Sequence, residues 1–231
     1  MTDNQARHLR DRHADLWSQQ LKANLLRYPD TPIVAWLAKN WPDRGAEAQG
    51  RALDIGFGSG RNFPLLADFC FDIYGLEISE AAIAEGQAVL DGLGIEGQLS
   101  HRALEEHDFD TASFEAIIFW GGAFLAPQEV MRENLGRCHD LLTTDGRMII
   151  NFRTPDNWFS GLGAEVAPFC YELDERAGPY SGNTYSFLPE LQSRALLEGA
   201  GFVIDNMERL DNWKLNGTQQ HSWNIYWARK P

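Results

Sequence analysis

The chain has 231 residues, 44% of them hydrophobic and 23% charged, and 33 acidic against 20 basic side chains give a net charge of −13. That length suits one α/β domain with a modest addition and a sizeable core, while the acidic balance repels phosphate backbones and disfavours nucleic acid as a partner. No apolar run reaches the roughly 18 residues of a membrane span, and the start MTDNQARHLRDRHADLW lacks the apolar core of a signal peptide.

Three scattered cysteines, Cys70, Cys138 and Cys170, have no metal-ligand spacing. They read as reduced core thiols of a cytoplasmic protein, and no metal site is expected. Residues 1 to about 14 are expected to be loosely held. From Asp15, the residues Leu16, Trp17, Leu21, Asn24, Leu25 and Tyr28 recur at helical spacing. Tyr28-Pro29-Asp30-Thr31-Pro32 breaks that helix. A second helix follows with Ile33, Val34, Leu37 and Trp41 on one side, and Pro42 to Gly50 is a polar linker. Residues 1–46 thus form an N-terminal helical segment, and residues 47–231 the main domain.

The stretch Arg51 to Ala67 reads as strand, tight turn and helix. Its turn is Asp54-x-Gly56-x-Gly58-x-Gly60, where glycines permit positive φ and close approach of a ligand to the backbone. The following helix directs free N–H groups at that turn. A dinucleotide fingerprint needs its third glycine three residues after the second. Here that position is Arg61. The strand-end Asp54 with three alternating glycines resembles motif I of the class I S-adenosylmethionine (SAM) dependent methyltransferases. The alternative is a glycine turn with no ligand.

The second strand is Asp72 to Glu77, with Ser79 as N-cap of the helix Glu80 to Leu93, whose Ile83 and Leu90 point inward. Glu77 falls at the strand's C-terminal end, where open parallel sheets bind ligands. There it either accepts two hydrogen bonds from a ribose diol, as the resemblance implies, or is a solvated loop carboxylate. The third strand lies near Gln98 to Arg102. The family often has an adenine-binding acid just after it, but Ala103 occupies that position. Leu104 then offers a backbone contact and apolar packing, and Glu105 or Glu106 substitutes for the acid.

The fourth strand runs from Phe114 to Trp120 and ends at Gly121-Gly122. Phe114-Glu115 resembles the family's Phe-Asp pair. Trp120 either lines the methyl-transfer site or is a core aromatic. Pro127 to Leu142 reads as a helix with Val130, Leu135, Cys138 and Leu142 inward. A turn at Thr143 to Gly146 leads to a fifth strand, Arg147 to Phe152. Arg153 follows, as an anchor for an acidic acceptor or as a surface ion pair. The stretch from there to Gly182 is expected to be irregular and aromatic-rich, an insert of a length more often functional than inert. Ser186 is expected to cap the next helix, which ends at Gly201. Phe202 to Leu210 and Ser222 to Lys230 are strands six and seven, expected to be an antiparallel pair.

The whole pattern, from Arg51 to Lys230, is similar to the class I methyltransferases. The resemblance implies an α/β fold with a doubly wound, mostly parallel seven-stranded sheet and a terminal antiparallel strand pair, an N-terminal helical cap, and an insert at about residues 153–185. It implies SAM as cofactor and S-adenosylhomocysteine as product. The cofactor would be held by Asp54, Gly56, Gly58, Gly60, Arg61, Asn62, Glu77, Ile78, Leu104, Glu105, Trp120 and Gly121. A small-molecule acceptor is expected beside Trp17, Tyr28, Arg153 and Trp158. No catalytic base is assigned: His101, His107, His139 and His221 qualify by residue type alone. The rival readings are a methyltransferase acting on protein or nucleic acid, a SAM-binding protein without catalysis, and a nicotinamide-dependent oxidoreductase.

Overall fold

The computed structural model describes Ala14, Ser18, residues 25–43 and residues 48–231. Trp17 and most of the helix expected from Asp15 lie outside the described residues, although Ala14 and Ser18 are helical. The chain forms two compact units, residues 1–108 and 109–231. The first contains α1 (Thr31–Asn40), β1 (Arg51–Ile55), α2 (Phe63–Asp68), β2 (Asp72–Glu77), α3 (Glu80–Leu93) and β3 (Gly97–His101). The second contains β4 (Phe114–Phe119), α4 (Gln128–Leu141), β5 (Leu142–Arg153), β6 (Gly163–Ala167), β7 (Cys170–Leu173), β8 (Thr184–Ser186), α5 (Glu190–Gly199), β9 (Val203–Lys214) and β10 (Gln219–Arg229).

The large sheet has seven strands in the order β3-β2-β1-β4-β5-β10-β9. β2 is parallel to both β1 and β3, and β4 is parallel to β5. β10 runs antiparallel to both β5 and β9. This is the expected α/β sheet with its antiparallel pair at one end.

In the first unit, β1 and β2 are buried on both faces and apolar but for Asp54 and Glu77 among their buried residues, as strands covered on two sides tend to be. Pro32 sits in the first turn of α1, where its missing N–H costs nothing. The buried stripe of that helix is Ile33, Trp36 and Leu37, and Val34 faces solvent. Trp36 meets Trp41 edge-on at 5.2 Å, and Trp41 meets Phe71 at 5.1 Å. Ser79 caps α3 by accepting the Ala82 N–H, and Gly94 ends that helix in the left-handed conformation. Ala82, Gly86 and Leu90 bury the inner face of α3, while Ile83 is only half-buried.

In the second unit, α4 buries Met131, Leu135, Cys138 and Leu141 rather than Val130. Leu142 already belongs to β5, which runs through the expected turn at 143–146 with a register irregularity against β4. The insert is not irregular. It folds as a three-stranded antiparallel sheet, β6-β7-β8. Its strands are three to five residues long, too short for alternation to stand out. Ser186 is not a helix cap: it ends β8, and its hydroxyl donates to the Ala126 carbonyl at 2.7 Å. Pro189 takes the capping position and α5 starts at Glu190.

Candidate functional site

Two clusters of functional side chains are built, one in each unit. The first surrounds the turn after β1. Gly56, Gly58 and Gly60 all have positive φ, at 67°, 58° and 70°. The turn is anchored from within by Phe57. Its ring fills the space that side chains at Gly75 and Gly86 would occupy, with their Cβ positions only 2.6 Å from Phe57 carbons. Phe57 also packs on Phe63 at 5.1 Å. With that ring pinned, the Gly56 N–H donates to the Leu76 carbonyl at 2.8 Å. The three glycines do different work. A Cβ on Gly60 would meet the Phe63 ring at 2.8 Å, so this glycine serves packing. A Cβ on Gly56 would meet nothing within 4 Å, so this glycine leaves its side of the backbone open.

Two carboxylates border the turn. Asp54, at the end of β1, is 1% exposed and accepts a 3.0 Å bond from Asn62 Nδ2. Burial pushes its carboxyl from 3.8 up to about 7, against the pull of the Asn62 bond and the Arg61 charge and with a smaller push from Glu77. Glu77, at the end of β2, is also buried. Its Oε2 accepts the Gly58 N–H at 3.0 Å, and its Oε1 accepts the Ile78 and Ser79 N–H groups at 2.7 and 3.0 Å. Burial raises its pKa, against the pull of those three bonds and of His101. A carboxylate has about four acceptor positions. Three are used here, by the Gly58, Ile78 and Ser79 N–H groups.

The segment before α1 is latched onto the same turn. Ser59 Oγ donates to the Leu26 carbonyl, and Arg61 pairs with Asp30 at 2.8 Å and reaches the Tyr28 carbonyl. Ser18 and Ser79 share a hydroxyl contact of 2.7 Å. The Tyr28 side chain itself is exposed. Leu104 is buried in a short 3-10 turn beside buried Ala103, and Glu105 is exposed. Ile78 is half-buried, with its carbonyl 3.0 Å from His101 Nε2.

The second cluster lies at the C-terminal ends of β4 and β5. Gly121 has φ 82° and its N–H donates to Asn151 Oδ1 at 2.8 Å, with open space on the side a Cβ would take. Trp120 before it is half-buried. Arg153 is 8% exposed, so it is not a surface ion pair. Its guanidinium sits 4.7 Å from the Phe124 ring, 4.8 Å from Tyr185, 5.2 Å from Phe159 and 5.4 Å from Trp223. Trp158 is half-buried, donates its N–H to the Gln220 carbonyl and leans on Phe159 at 5.7 Å. Of the four candidate histidines, His221 touches this cluster, 5.5 Å from Phe159 and stacked on Trp223 at 6.0 Å. Burial, then the charges of Lys214 and Arg153, push its imidazole down to about 4. His139 instead packs on Phe202.

Sequence reasoning missed Phe57, Ser59, Asn151 and the ring set around Arg153. Asn151 had a legible signal, being the one polar residue inside the apolar run Met148 to Phe152. Among the described residues, no group of three or more His, Cys, Asp or Glu could hold a metal ion, and no helix is long and apolar enough to cross a membrane.

Residues 52–146 match the family model of a methyltransferase domain. A curated relative, the thiopurine S-methyltransferase of Pseudomonas syringae pv. tomato, is 24% identical over 126 residues, which is 54% of this chain and 53% of the relative. The match thus spans about half the length of that protein. Among solved structures, the 1,6-didemethyltoxoflavin-N1-methyltransferase of Burkholderia thailandensis, with that compound and S-adenosylhomocysteine bound, superposes with a TM-score of 0.75 at 17% identity, covering 100% of this chain and 91% of that one. A SAM-dependent methyltransferase of Methanosarcina mazei gives 0.69 at 15% identity, covering 88% and 98%. The magnesium protoporphyrin IX methyltransferase of Synechocystis, with bound SAM, gives 0.60 at 18% identity, covering 94% and 81%. The chain therefore shares the fold of these solved methyltransferases, and the similarity to the methyltransferase-domain model lies in residues 52–146.

Proposed function

We propose that this chain is a SAM-dependent methyltransferase acting on a small-molecule acceptor, with S-adenosylhomocysteine as product. One observation carries the reading: Gly56 leaves an open cradle on a turn bordered by two buried carboxylates, Asp54 and Glu77. Such a pair of buried carboxylates, with Asp54 held up at about 7, is stabilised in its charged form by a ligand with positive groups, and the amino and sulfonium groups of SAM supply them. It disfavours a pyrophosphate, which argues against a nicotinamide cofactor.

In this reading Gly56, Gly58 and Gly60 present backbone to the methionyl end, and Glu77 accepts the two hydrogen bonds of the ribose diol. Ala103, Leu104 and Ile78 pack the adenine, and Glu105 is placed to read its amino group. Asn62 holds Asp54, while Arg61 holds the segment ahead of α1 through Tyr28 and Asp30. Trp120 and Gly121 border the transfer site from the end of β4 in the domain spanning 47–231. Arg153 and Trp158, in the insert region of about 153–185, belong to the acceptor pocket. We read the protein as cytoplasmic and without a nucleic-acid partner, a reading supported by its net charge and its three free cysteines.

When bound, the sulfonium supplies an activated methyl group for in-line attack by an acceptor atom. The chain's main duty is then positioning, worth up to about 7–11 kcal/mol in well-oriented cases. Isothermal titration with SAM, S-adenosylhomocysteine and NAD tests the cofactor. Heat with both sulfur compounds and none with NAD is expected, and the reverse would overturn the reading. Radiolabelled methyl transfer into a metabolite fraction tests the acceptor class, and label entering only protein or RNA would reassign it.

A further inference from the structure

Arg153 carries a buried charge that nothing among the described residues neutralises. Its Nε and Nη1 are buried without a hydrogen-bond partner. Four aromatic faces stand within 5.4 Å of the guanidinium, and Tyr185 is hydrogen-bonded to it. Among the described residues, the side chains that act on its charge are Tyr185 and Tyr180, with no carboxylate among them. Cation–π attraction offsets part of the cost of burying a guanidinium. It does not satisfy the N–H donors, and a buried donor without an acceptor is costly.

We propose that this cage is a recognition subsite for an anion, a carboxylate borne on a compact apolar or aromatic molecule, so that the methyl acceptor is an acid. A carboxylate supplies what the guanidinium lacks, a counter-charge and acceptors for its N–H groups. Phe124, Phe159, Tyr185 and Trp223 supply flat apolar walls, which suit the body of such a molecule. The placement agrees. Asn151 and Arg153 are two residues apart on β5 and so share a face of the strand. The first holds the Gly121 backbone at the end of β4, and the second projects at the C-terminal end of two parallel strands, where such sheets bind ligands. Two walls, Phe159 and Tyr185, come from the insert, which gives the small β6-β7-β8 sheet a purpose. His221 stays neutral beside Arg153 and so adds no second cation.

Calling the bound acid the acceptor rests on the methyltransferase reading, whereas anion binding does not. The probes are benzoate and its neutral isostere benzamide, titrated into the whole chain by tryptophan fluorescence and by the arginine Nε–H signals in nitrogen-15 NMR. Benzoate is expected to bind about ten- to a hundredfold tighter than benzamide, as for one or two charge-assisted hydrogen bonds, and to shift one buried arginine Nε–H signal. Arg153→Met keeps an apolar stem among the rings and is expected to abolish the preference while benzamide binding survives. Equal binding of the two probes to the wild type, no benzoate binding at millimolar concentration, or a preference that persists in Arg153→Met would each overturn the proposal. Should Arg153→Met fail to fold, Arg153→Lys decides with the opposite sign: the retained cation is expected to keep part of the preference, and a lysine variant with none would overturn the proposal. A separate SAM titration of the wild type distinguishes the readings. Lost SAM binding with intact benzoate preference sinks the methyltransferase and leaves the subsite, and the opposite pair of results does the reverse.

Discussion

Asp54→Asn is expected to make the protein more stable and worse at holding its cofactor. The carboxyl is 1% exposed and its pKa is raised from 3.8 to about 7, chiefly by burial. Because the folded value lies above the unfolded one, the native state holds more protons between those limits. Its stabilising share is full below pH 3.8 and is lost as pH rises through 7. At roughly 1.4 kcal/mol per pH unit, the interval amounts to about 4 kcal/mol, an upper figure for the strain of keeping this carboxylate ionised in the fold. Asparagine has nearly the same shape and still offers an oxygen to Asn62. The variant should therefore gain stability over the wild type at pH 8 and match it near pH 4. Urea unfolding across that range gives the difference, in which the titrations of groups not coupled to Asp54 cancel. SAM should lose about ten- to a hundredfold in affinity with the charge removed. In the wild type near pH 6, SAM binding should release a proton, measurable by calorimetry in two buffers of different ionisation heat, and the variant should release none. A variant no more stable at pH 8 than at pH 4 relative to wild type, or one with unchanged SAM affinity, would refute the reasoning.

The remaining expectations follow from the same turn. Gly56→Ala should cost about 1–2 kcal/mol for its left-handed backbone yet fold, while losing SAM binding. Gly60→Ala should lose thermal stability first, because its Cβ meets the Phe63 ring, and melting curves with and without SAM tell the two apart. Phe57→Ala should destabilise by about 3–5 kcal/mol in denaturant titration, since it empties the space against Gly75 and Gly86. Glu77→Ala should lower both melting temperature and SAM affinity, because three backbone N–H groups lose their acceptor together with the ligand. A fall in affinity alone would mean those bonds are replaced by water.

The glycine turn was legible because its demand is local. Positive φ at three alternating positions, after a strand-end acid, is written in consecutive residues. Ser79 was legible for the same reason, and Ser186 was misread by it. A serine ahead of an apolar helix looks like a cap, but Pro189 stands nearer the helix and Ser186 is drawn to Ala126, sixty residues away. Val34 and Ile83 were assigned inward from spacing, yet which face of a helix is buried depends on what packs against it. The ring set around Arg153 was hidden for a stronger reason. Phe124, Phe159, Tyr185 and Trp223 come from four separate segments, and no spacing in the chain announces that they meet. The insert strands were missed because three to five residues give alternation too little length to register.

The latch of residues 26–30 on the glycine turn ties occupancy to order by thermodynamic necessity. Ser59 and Arg61 shape the turn and also hold the segment ahead of α1, through Leu26, Tyr28 and Asp30. A ligand that tightens that turn is expected to tighten the segment through these contacts, and the coupling is then reciprocal, so that whatever loosens the segment weakens the ligand equally. Protease cleavage within residues 26–30 therefore becomes a gauge of the cofactor site: protection should grow with cofactor concentration along the binding curve itself, and Asp30→Ala should shift both curves together.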